Sequence, residues 1–441
     1  MAFLFKSATL VTLSPATVEL ADLRVADGRI IERATGLEPR DGEEVIDLSR
    51  KLVMPGMVCA HTHLYSALAR GMPAPPRAPR NFTEILELVW WRLDCALDEE
   101  TIYWSAITGA MDAARAGTTC LFDHHASPSS ISGSLEIVRA ALEKVGLRGV
   151  LCYEVTDRGG GRERDEGLRE NRDFLEWVER SDRSKGPQGS LYRAMVGAHA
   201  SFTLSDESVE RLAELMREFN AGLHVHAAED ACDVEDARAK YGVGPVERFA
   251  NFGALNGRTI LAHGIHLGDR DIEIAGERGA RFAHNPRSNM NNQVGYAPVA
   301  RFGERVLLGT DGIGADMFDE ARFAFFKGRD GRSGFGADET LRALANNQRQ
   351  AGEAFGVDMS ALREGSAADL IVLDYLSPTP LTAENLAWHF AFGLNSAAVE
   401  SVMVAGRFVI RNRQSALDEV SLYDEARRAS ERLWDKLRTT T

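Results

Sequence analysis

The 441-residue sequence predicts an α/β fold, a (β/α)8 barrel of the TIM type joined to a small composite β-sandwich. Three observations predict it. Short apolar runs alternate with amphipathic helical stretches through the middle of the chain, polar residues end most of those runs, and β-rich segments lie at both termini. Eight strand–helix units over about 300 residues is the count expected for such a barrel.

The two ends of the chain predict one small β domain. Asp27-Gly28 lies between two apolar runs, which is a hairpin signal, and the strand-like runs Ala368–Asp374 and Val402–Ile410 repeat this style near the C-terminus. A helix from Leu422 to about Arg438 closes the chain. We therefore expect that residues 1–55 and 359–441 together form a composite β-sandwich domain with a C-terminal helix. Residues 56–358, between these two parts, are expected to form a catalytic barrel.

The middle of the chain supplies the barrel. Helical patterns such as Ser134–Val145 and Glu207–Phe219 separate the predicted strands. A doubly wound open sheet is the competing fold, but it needs a glycine-rich turn after its first strand, where this chain has His61-Thr62-His63. The predicted strands are Leu52–His63, Thr118–His125, Leu147–Thr156, Tyr192–Ser201, Gly222–Glu229, Thr259–His266, Ala280–Asn289 and Arg305–Gly312.

Composition limits the partners. The chain has 51 Lys and Arg residues and 65 Asp and Glu residues, which gives a net charge of −14. Nucleic acids and anionic membranes are therefore not expected as partners. The expected partner is a small-molecule substrate. The five cysteines form no C-x-x-C pair, and no apolar stretch reaches the roughly 18 residues of a membrane span. With Lys6 inside its apolar run, the N-terminus predicts a strand and not a signal peptide, which favours a cytoplasmic protein.

The histidines indicate a metal site. Most of the eleven lie at or near the C-terminal ends of predicted strands, the rim where barrel active sites are built. His61 and His63 are two apart on a strand and share a face. On the fifth strand the spacing to Glu229 favours His226 over His224 as a third ligand, with the carboxylate close to the metal and not bound to it.

The eighth strand contributes a carboxylate. Asp311 follows an apolar run, where burial is costly unless it meets a cation or donors; the alternative is a helix N-cap. His263 on the sixth strand is expected to face the same rim. Three histidines and one aspartate are typical of a catalytic divalent ion, zinc or iron(II), which lowers the pKa of bound water towards ~7. Hydrolysis of a C–N bond is the chemistry this predicts.

The segments PGMVCAHTH, LHVHAAE, LAHGIHL, HNPRSNM and LGTDG, in that order, resemble the amidohydrolase superfamily. Within it, HTHLYSALARG, NFTEILELVWWRLD, DHHASP and HNPRSNMNN are similar to the SsnA-type aminohydrolases of the chlorohydrolase and guanine deaminase branch. The resemblance implies that His61, His63, His226 and Asp311 bind one divalent ion, Zn2+ in preference to Fe2+ or Mn2+. It also implies a homo-oligomer, a dimer or larger.

The resemblance further implies roles around that ion. Glu229 would carry a proton to the substrate's ring nitrogen, His263 would orient the attacking hydroxide, and Asp311 would accept the water's proton. His199 aligns with a position that often contacts substrate. The fourth strand lacks the lysine that two-metal members carboxylate, which argues for one metal.

Several other residues are candidates for substrate contact. His124 and His125 follow the second strand and could line the pocket, bind a second ion or simply pack. Asn285 stands where related enzymes often have cysteine. Trp91, beside Trp90, could cap a planar ring or pack in the core, and Arg70 could bind an anion or carbonyl or form a structural ion pair.

The leading functional prediction is a metal-dependent aminohydrolase that deaminates a nitrogen heterocycle and releases ammonia. The alternative within the same superfamily is a one-metal hydrolase that opens a cyclic amide, which releases none. A non-catalytic metal-binding barrel and a purely structural barrel are the remaining hypotheses. Glu229 argues against the former, because holding a metal does not require that carboxylate.

Overall fold

The computed structural model describes residues 2–185 and 190–439 and confirms the α/β fold. Its strands are β1 (Ala2–Leu13), β2 (Ala16–Ala26), β3 (Arg29–Ala34), β4 (Glu43–Asp47), β5 (Leu52–Pro55), β6 (Met57–Thr62), β7 (Thr118–His125), β8 (Arg148–Tyr153), β9 (Tyr192–Ala194), β10 (Val196–Ala200), β11 (Leu223–Ala227), β12 (Ile260–His263), β13 (Arg281–His284), β14 (Val306–Leu308), β15 (Leu370–Leu373), β16 (Val399–Val404), β17 (Arg407–Arg411) and β18 (Gln414–Ser415).

The helices follow most of the central strands. They are α1 (Phe82–Ile85), α2 (Trp91–Ala96), α3 (Glu99–Arg115), α4 (Ser134–Val145), α5 (Gly161–Lys185), α6 (Asp206–Phe219), α7 (Ala231–Tyr241), α8 (Pro245–Asn251), α9 (Asp269–Glu277), α10 (Pro286–Asn291), α11 (Val299–Phe302), α12 (Met317–Asp330), α13 (Ala337–Phe355), α14 (Leu386–Phe392) and α15 (Glu419–Thr439). Within the described ranges, none of these helices combines the length and apolar character needed to cross a bilayer.

Both ends of the chain build one nine-stranded sheet, in the order β18-β17-β16-β15-β5-β1-β2-β3 with β4 on β1. The predicted hairpin is present, since Val25 of β2 pairs with Ile30 of β3 across Asp27-Gly28. The ring of Phe408 on β17 lies 5.3 Å from that of Phe3 on β1, although several strands separate β17 from β1 in the sheet. The single hydrogen-bonded sheet therefore folds over itself.

The central strands are parallel and form two sheets, β6-β7-β8-β9 and β10-β11-β12-β13-β14. Isolated parallel bridges connect their edges, Val155 to Ala198 on one side and Thr62 to Asp311 on the other. The two sheets therefore face each other as a ring of strands. The fourth predicted strand, Tyr192–Ser201, is divided at Met195 between β9 in one sheet and β10 in the other.

A buried asparagine bridges each junction between the two sheets. Asn171 of α5 accepts from Tyr153 N and Gly197 N at 3.0 and 3.2 Å and donates to Tyr153 O at 2.8 Å. Asn347 of α13 donates to Val58 O and Leu308 O at 2.7 Å each and accepts from Leu308 N at 2.9 Å. These side chains replace peptide groups where the strand pairing is interrupted.

Besides the division of Tyr192–Ser201, the predicted strand boundaries differ most from the structure in three places. Leu52–His63 is divided at Gly56, so that β5 pairs with β1 and β15 in the terminal sheet and only β6 enters the barrel. A Cβ at Gly56 would lie 2.2 Å from the Thr119 side chain, so only glycine fits this crossing. The strand predicted over Ala280–Asn289 ends at His284, because Pro286 begins α10. The strand predicted over Arg305–Gly312 ends at Leu308, three residues before Asp311.

Candidate metal centre and active-site cavity

Four predicted metal ligands converge at one end of the barrel. His61 lies in β6 and His63 directly after it, His226 lies in β11, and Asp311 follows β14. One ligand atom from each of the four lies within 4.8 Å of all the others, and all four residues are buried. Residues separated by up to 250 positions thus share one centre.

Backbone contacts hold Asp311 against β6. His61 O accepts from Thr310 N at 2.8 Å and from Asp311 N at 3.0 Å, and Asp311 itself adopts a left-handed φ of 53°. Gly309 permits this approach, since a Cβ there would lie 2.7 Å from the Cβ of His61. The carboxylate is therefore directed at the histidines by the main chain.

The histidine tautomers are fixed by main-chain carbonyls. His63 Nδ1 lies 2.6 Å from His124 O, and His226 Nδ1 lies 3.0 Å from His199 O. Because a carbonyl oxygen only accepts, both Nδ1 atoms carry a proton, and Nε2 is the atom that each ring directs at the cluster. Such carbonyl partners are typical of histidines that bind metals.

Three of the six separations between these atoms are close to those around a tetrahedral ion. His63 Nε2 lies 3.2 Å from His226 Nε2, and Asp311 Oδ1 lies 2.8 Å from His63 Nε2 and 3.4 Å from His61 Nε2. Ligand atoms around tetrahedral zinc lie about 3.3 Å apart. His61 Nε2 is buried and has no hydrogen-bond partner among the described residues. These donors fit a divalent cation.

Electrostatics agree with ligation. Burial lowers the pKa of His61 to about 3 and that of His226 well below its usual value, so both rings are neutral. Burial also acts to lower the pKa of His63, but the contact with Asp311 has the larger effect. The pKa of His63 is therefore raised to about 9. A cation would compete with that proton for Nε2.

Glu229 and His263 lie beside this cluster. His263 Nε2 is 3.5 Å from Glu229 Oε2 and 4.0 Å from Asp311 Oδ2. Asn292 Nδ2 donates to Glu229 Oε1 at 3.1 Å, and the Ser288 hydroxyl donates to Asp311 Oδ2. Burial raises the pKa of Glu229 to about 7, so this carboxyl can exchange a proton near neutrality.

A cavity opens onto the cluster and is covered by the segment that contains α1 and α2. Its lining is mostly aromatic and acidic, which suits a planar molecule with polar edges. Of the predicted substrate contacts, His199 and Trp91 line it. The lining residues are His63, Tyr65, Ser66, Phe82, Leu86, Trp90, Trp91, Asp94, Glu154, His199, His226, Glu229, Asn292, Asp311 and Gly312.

Three predicted substrate contacts do not line this cavity. Arg70 pairs with Asp112 on α3, the ion-pair alternative considered from sequence. His125 is buried, with Nε2 3.0 Å from the Ser127 hydroxyl. Asn285 is also buried, and its Nδ2 lies 3.4 Å from either ring nitrogen of His263, so it supports that ring.

Sequence reasoning missed two acidic residues of the cavity. Glu154 follows the apolar strand β8 directly, the same signal that identified Asp311, and could have been found by it. Asp94 lies in α2, far along the chain from any strand end, and no sequence pattern points to it. His224, considered as an alternative ligand, contacts His61 instead, with His224 Nε2 2.8 Å from His61 Nδ1.

Comparison with known proteins agrees with this architecture. The chain is 31% identical over 420 residues to a 5'-deoxyadenosine deaminase of Methanopyrus kandleri, covering 92% of this chain and 93% of that protein. It is 28% identical over 405 residues to a 5-methylthioadenosine/S-adenosylhomocysteine deaminase of Thermoanaerobacter pseudethanolicus, covering 88% of each chain.

The fold is also found among solved structures. An adenosine deaminase from Xanthomonas campestris with bound zinc superposes with a TM-score of 0.84 at 23% identity, covering 99% of both chains. The sequence pattern of the Amidohydrolase family matches residues 52–409, which include the histidines, Glu229 and Asp311 of the site. The chain therefore belongs to the amidohydrolase family, hydrolases that act on C–N bonds.

Proposed function

We propose that this chain is a metal-dependent aminohydrolase that replaces an amino group of a nitrogen heterocycle by water and releases ammonia. The observation that carries the proposal is the convergence of His61, His63, His226 and Asp311 beside a protonatable Glu229. The deaminase names of the two relatives support the same reaction type.

His61, His63, His226 and Asp311 would hold one divalent cation, for which we propose zinc. A cation bound by such a set lowers the pKa of a coordinated water towards ~7 and so supplies a nucleophile at neutral pH. The zinc bound in the Xanthomonas campestris neighbour supports this choice of metal.

The chain's own residues move the protons. Glu229 lines the cavity, and Asn292 holds its Oε1, so a proton taken up at Oε2 can pass to a ring nitrogen or to the departing amine. Asp311 Oδ2, held by Ser288, can accept a proton from the attacking water. His263 Nε2 lies within 4.0 Å of both carboxylates and can orient the attacking water between them.

Replacement of Glu229 tests the proposal. In Glu229→Gln the four ligand side chains are intact, so we expect zinc content to stay near one equivalent while ammonia release falls at least about 100-fold. The exposed Glu235→Gln is the matched control and should keep full activity. Retention of most of the activity in Glu229→Gln would show that the proton passes elsewhere. Ring-opened product without ammonia would favour the cyclic-amide alternative.

Other predictions from the sequence stay predictions. They are the SsnA-type subgroup, the cytoplasmic location, the homo-oligomer and the division into domains at residues 55 and 359. Metal analysis of the purified protein would show whether the bound ion is zinc, iron or manganese.

A further inference from the structure

One wall of the cavity presents several hydrogen-bond acceptors beside the indole N–H of Trp91, a buried donor without a partner among the described residues. Asp94 and Glu154 line it and are almost completely buried, with 1% and 4% of their surface exposed. His199 lines the same wall, and its Nε2 lies 4.0 Å from Glu154 Oε1. Two carboxylates of this kind are costly to bury unless a ligand or protein donor meets them.

His199 acts as an acceptor because of its tautomer. Its Nδ1 lies 2.8 Å from the Thr203 hydroxyl, and that hydroxyl donates its proton to Ala200 O at 3.1 Å. In this arrangement Thr203 accepts from His199 Nδ1–H, which leaves a lone pair on Nε2.

His124, below the cavity, shows the same pattern. Its Nε2 lies 3.1 Å from both Ala198 O and His224 O and must donate to them. Its Nδ1 lies 3.2 Å from Glu154 Oε2 without a hydrogen bond. Within the described residues, neither ring makes a hydrogen bond of good geometry to Glu154.

Arg158 offsets part of the negative charge of Asp94 and Glu154 but is not one of the residues that line the cavity. Its guanidinium lies 2.9 Å from Asp94 Oδ2 and 3.8 Å from Glu154 Oε1, and it stacks 4.6 Å from the centre of the Trp91 ring. Asp94 Oδ1 remains buried without a hydrogen-bond partner among the described residues. The wall thus keeps acceptor capacity directed at whatever fills the cavity.

Glu154 is close to the metal cluster. A carboxylate oxygen of Glu154 lies within 4.8 Å of ligand nitrogens of both His63 and His226. A ring whose reacting carbon sits at the cluster consequently places a neighbouring ring atom or substituent against Glu154. A bare ring nitrogen there would set its lone pair against the carboxylate, whereas an N–H would donate to it.

Building on the proposed function, we propose that the substrate is an amino-heterocycle whose reacting carbon belongs to a guanidine unit, with a ring N–H donor directed at Glu154. Asp94 and His199 accept from further N–H or O–H donors of the same molecule. Amidine-type heterocycles, in which the reacting carbon has no adjacent ring N–H, are poor substrates. Glu154 is thus a specificity-determining residue.

A second metal ion at Glu154 is the competing occupant, since His63, His124, Glu154 and His226 also cluster within 4.8 Å. His63 and His226 each offer one lone pair, and the centre formed with His61 and Asp311 uses it. The Arg158 guanidinium, 3.8 Å from Glu154, repels a further cation. The contacts therefore favour a substrate N–H donor.

Matched heterocycle pairs test the proposal. With zinc-loaded protein we expect kcat/KM for ammonia release to be at least about 100-fold higher for isocytosine than for cytosine, and for guanine than for adenine. Glu154→Gln should lower kcat/KM for the guanidine-type member about 10- to 100-fold, because its amide places an N–H opposite the substrate's N–H. Zinc content should stay at one equivalent. The exposed Glu218→Gln is the control.

A binding measurement separates this inference from the proposed function. Calorimetry with metal-free protein should show tighter binding of isocytosine than of cytosine, and Asp94→Asn or Glu154→Gln should weaken it. Preference for adenine and cytosine, or unchanged selectivity in Glu154→Gln, would overturn the inference while the aminohydrolase function stands. A second zinc equivalent lost in Glu154→Gln would also overturn it. Absence of ammonia from every heterocycle would contradict the proposed function, and the binding preference would still decide the role of Glu154.

Discussion

Asn289 fixes the ring of His263. Its Oδ1 lies 2.8 Å from His263 Nδ1, which directs Nε2 towards Glu229 and Asp311. Removing this support in Asn289→Ala should lower kcat about 10- to 100-fold, because outer partners of this kind set ring orientation. Metal content should not change, since His263 is outside the proposed ligand set.

The control for Asn289→Ala is the exposed Asn251→Ala at the end of α8. Steady-state kinetics together with metal analysis give the result. Loss of the metal in parallel with activity would mean that His263 belongs to the metal site itself.

The sequence alone predicted the position of some site residues and not of others. His61, His63, His226 and Asp311 were predictable because each lies near the end of an apolar strand, where the barrel rim is built. Asp94 was not, because it reaches the cavity from α2, whose position depends on tertiary packing. Arg70 was assigned to two possible roles, and only the contact with Asp112 separates them.

At the scale of elements, Asn347 closes the junction between β6 and β14. Its three hydrogen bonds satisfy Val58 O, Leu308 O and Leu308 N, all deep in the barrel. Asn347→Ala would leave these backbone groups unpaired, so we expect the free energy of unfolding to fall by about 3 kcal/mol or more. Urea denaturation measures it.

The neighbouring Asn346 provides a matched control. It also donates to two carbonyls, Glu304 O and Val306 O, but from a partly exposed position, so Asn346→Ala should cost about 1 kcal/mol. Equal effects of the two substitutions would mean that water replaces the Asn347 amide.

The elements themselves were largely predictable. Ser134–Val145 was predicted as a helix and is α4, because its apolar residues recur three and four apart. The junctions were not predictable, because an asparagine in an amphipathic helix looks like a surface residue until its partners across the barrel are known. The crossing at Gly56 likewise depends on Thr119, a residue of the next strand.

Across the whole molecule, a buried ion pair joins the barrel to the terminal sheet. Arg148 at the start of β8 holds Asp369, just before β15, through Nε at 2.7 Å and a terminal nitrogen at 2.9 Å. Asp369 Oδ2 also accepts from Ala405 N at 3.2 Å, in the β16–β17 turn. Residues 221 positions apart thereby fix the sheet against the barrel.

Arg148→Met should lower the free energy of unfolding by about 3–5 kcal/mol, because it leaves Asp369 charged and buried without its partner. The double substitution Arg148→Met with Asp369→Leu removes both charges and should recover at least half of that loss, since apolar replacements of buried pairs are often close to neutral. Urea unfolding of the three proteins measures the coupling. If Arg148→Met costs less than about 1 kcal/mol, the pair does not hold the two parts together, and the apolar contacts between them carry that role.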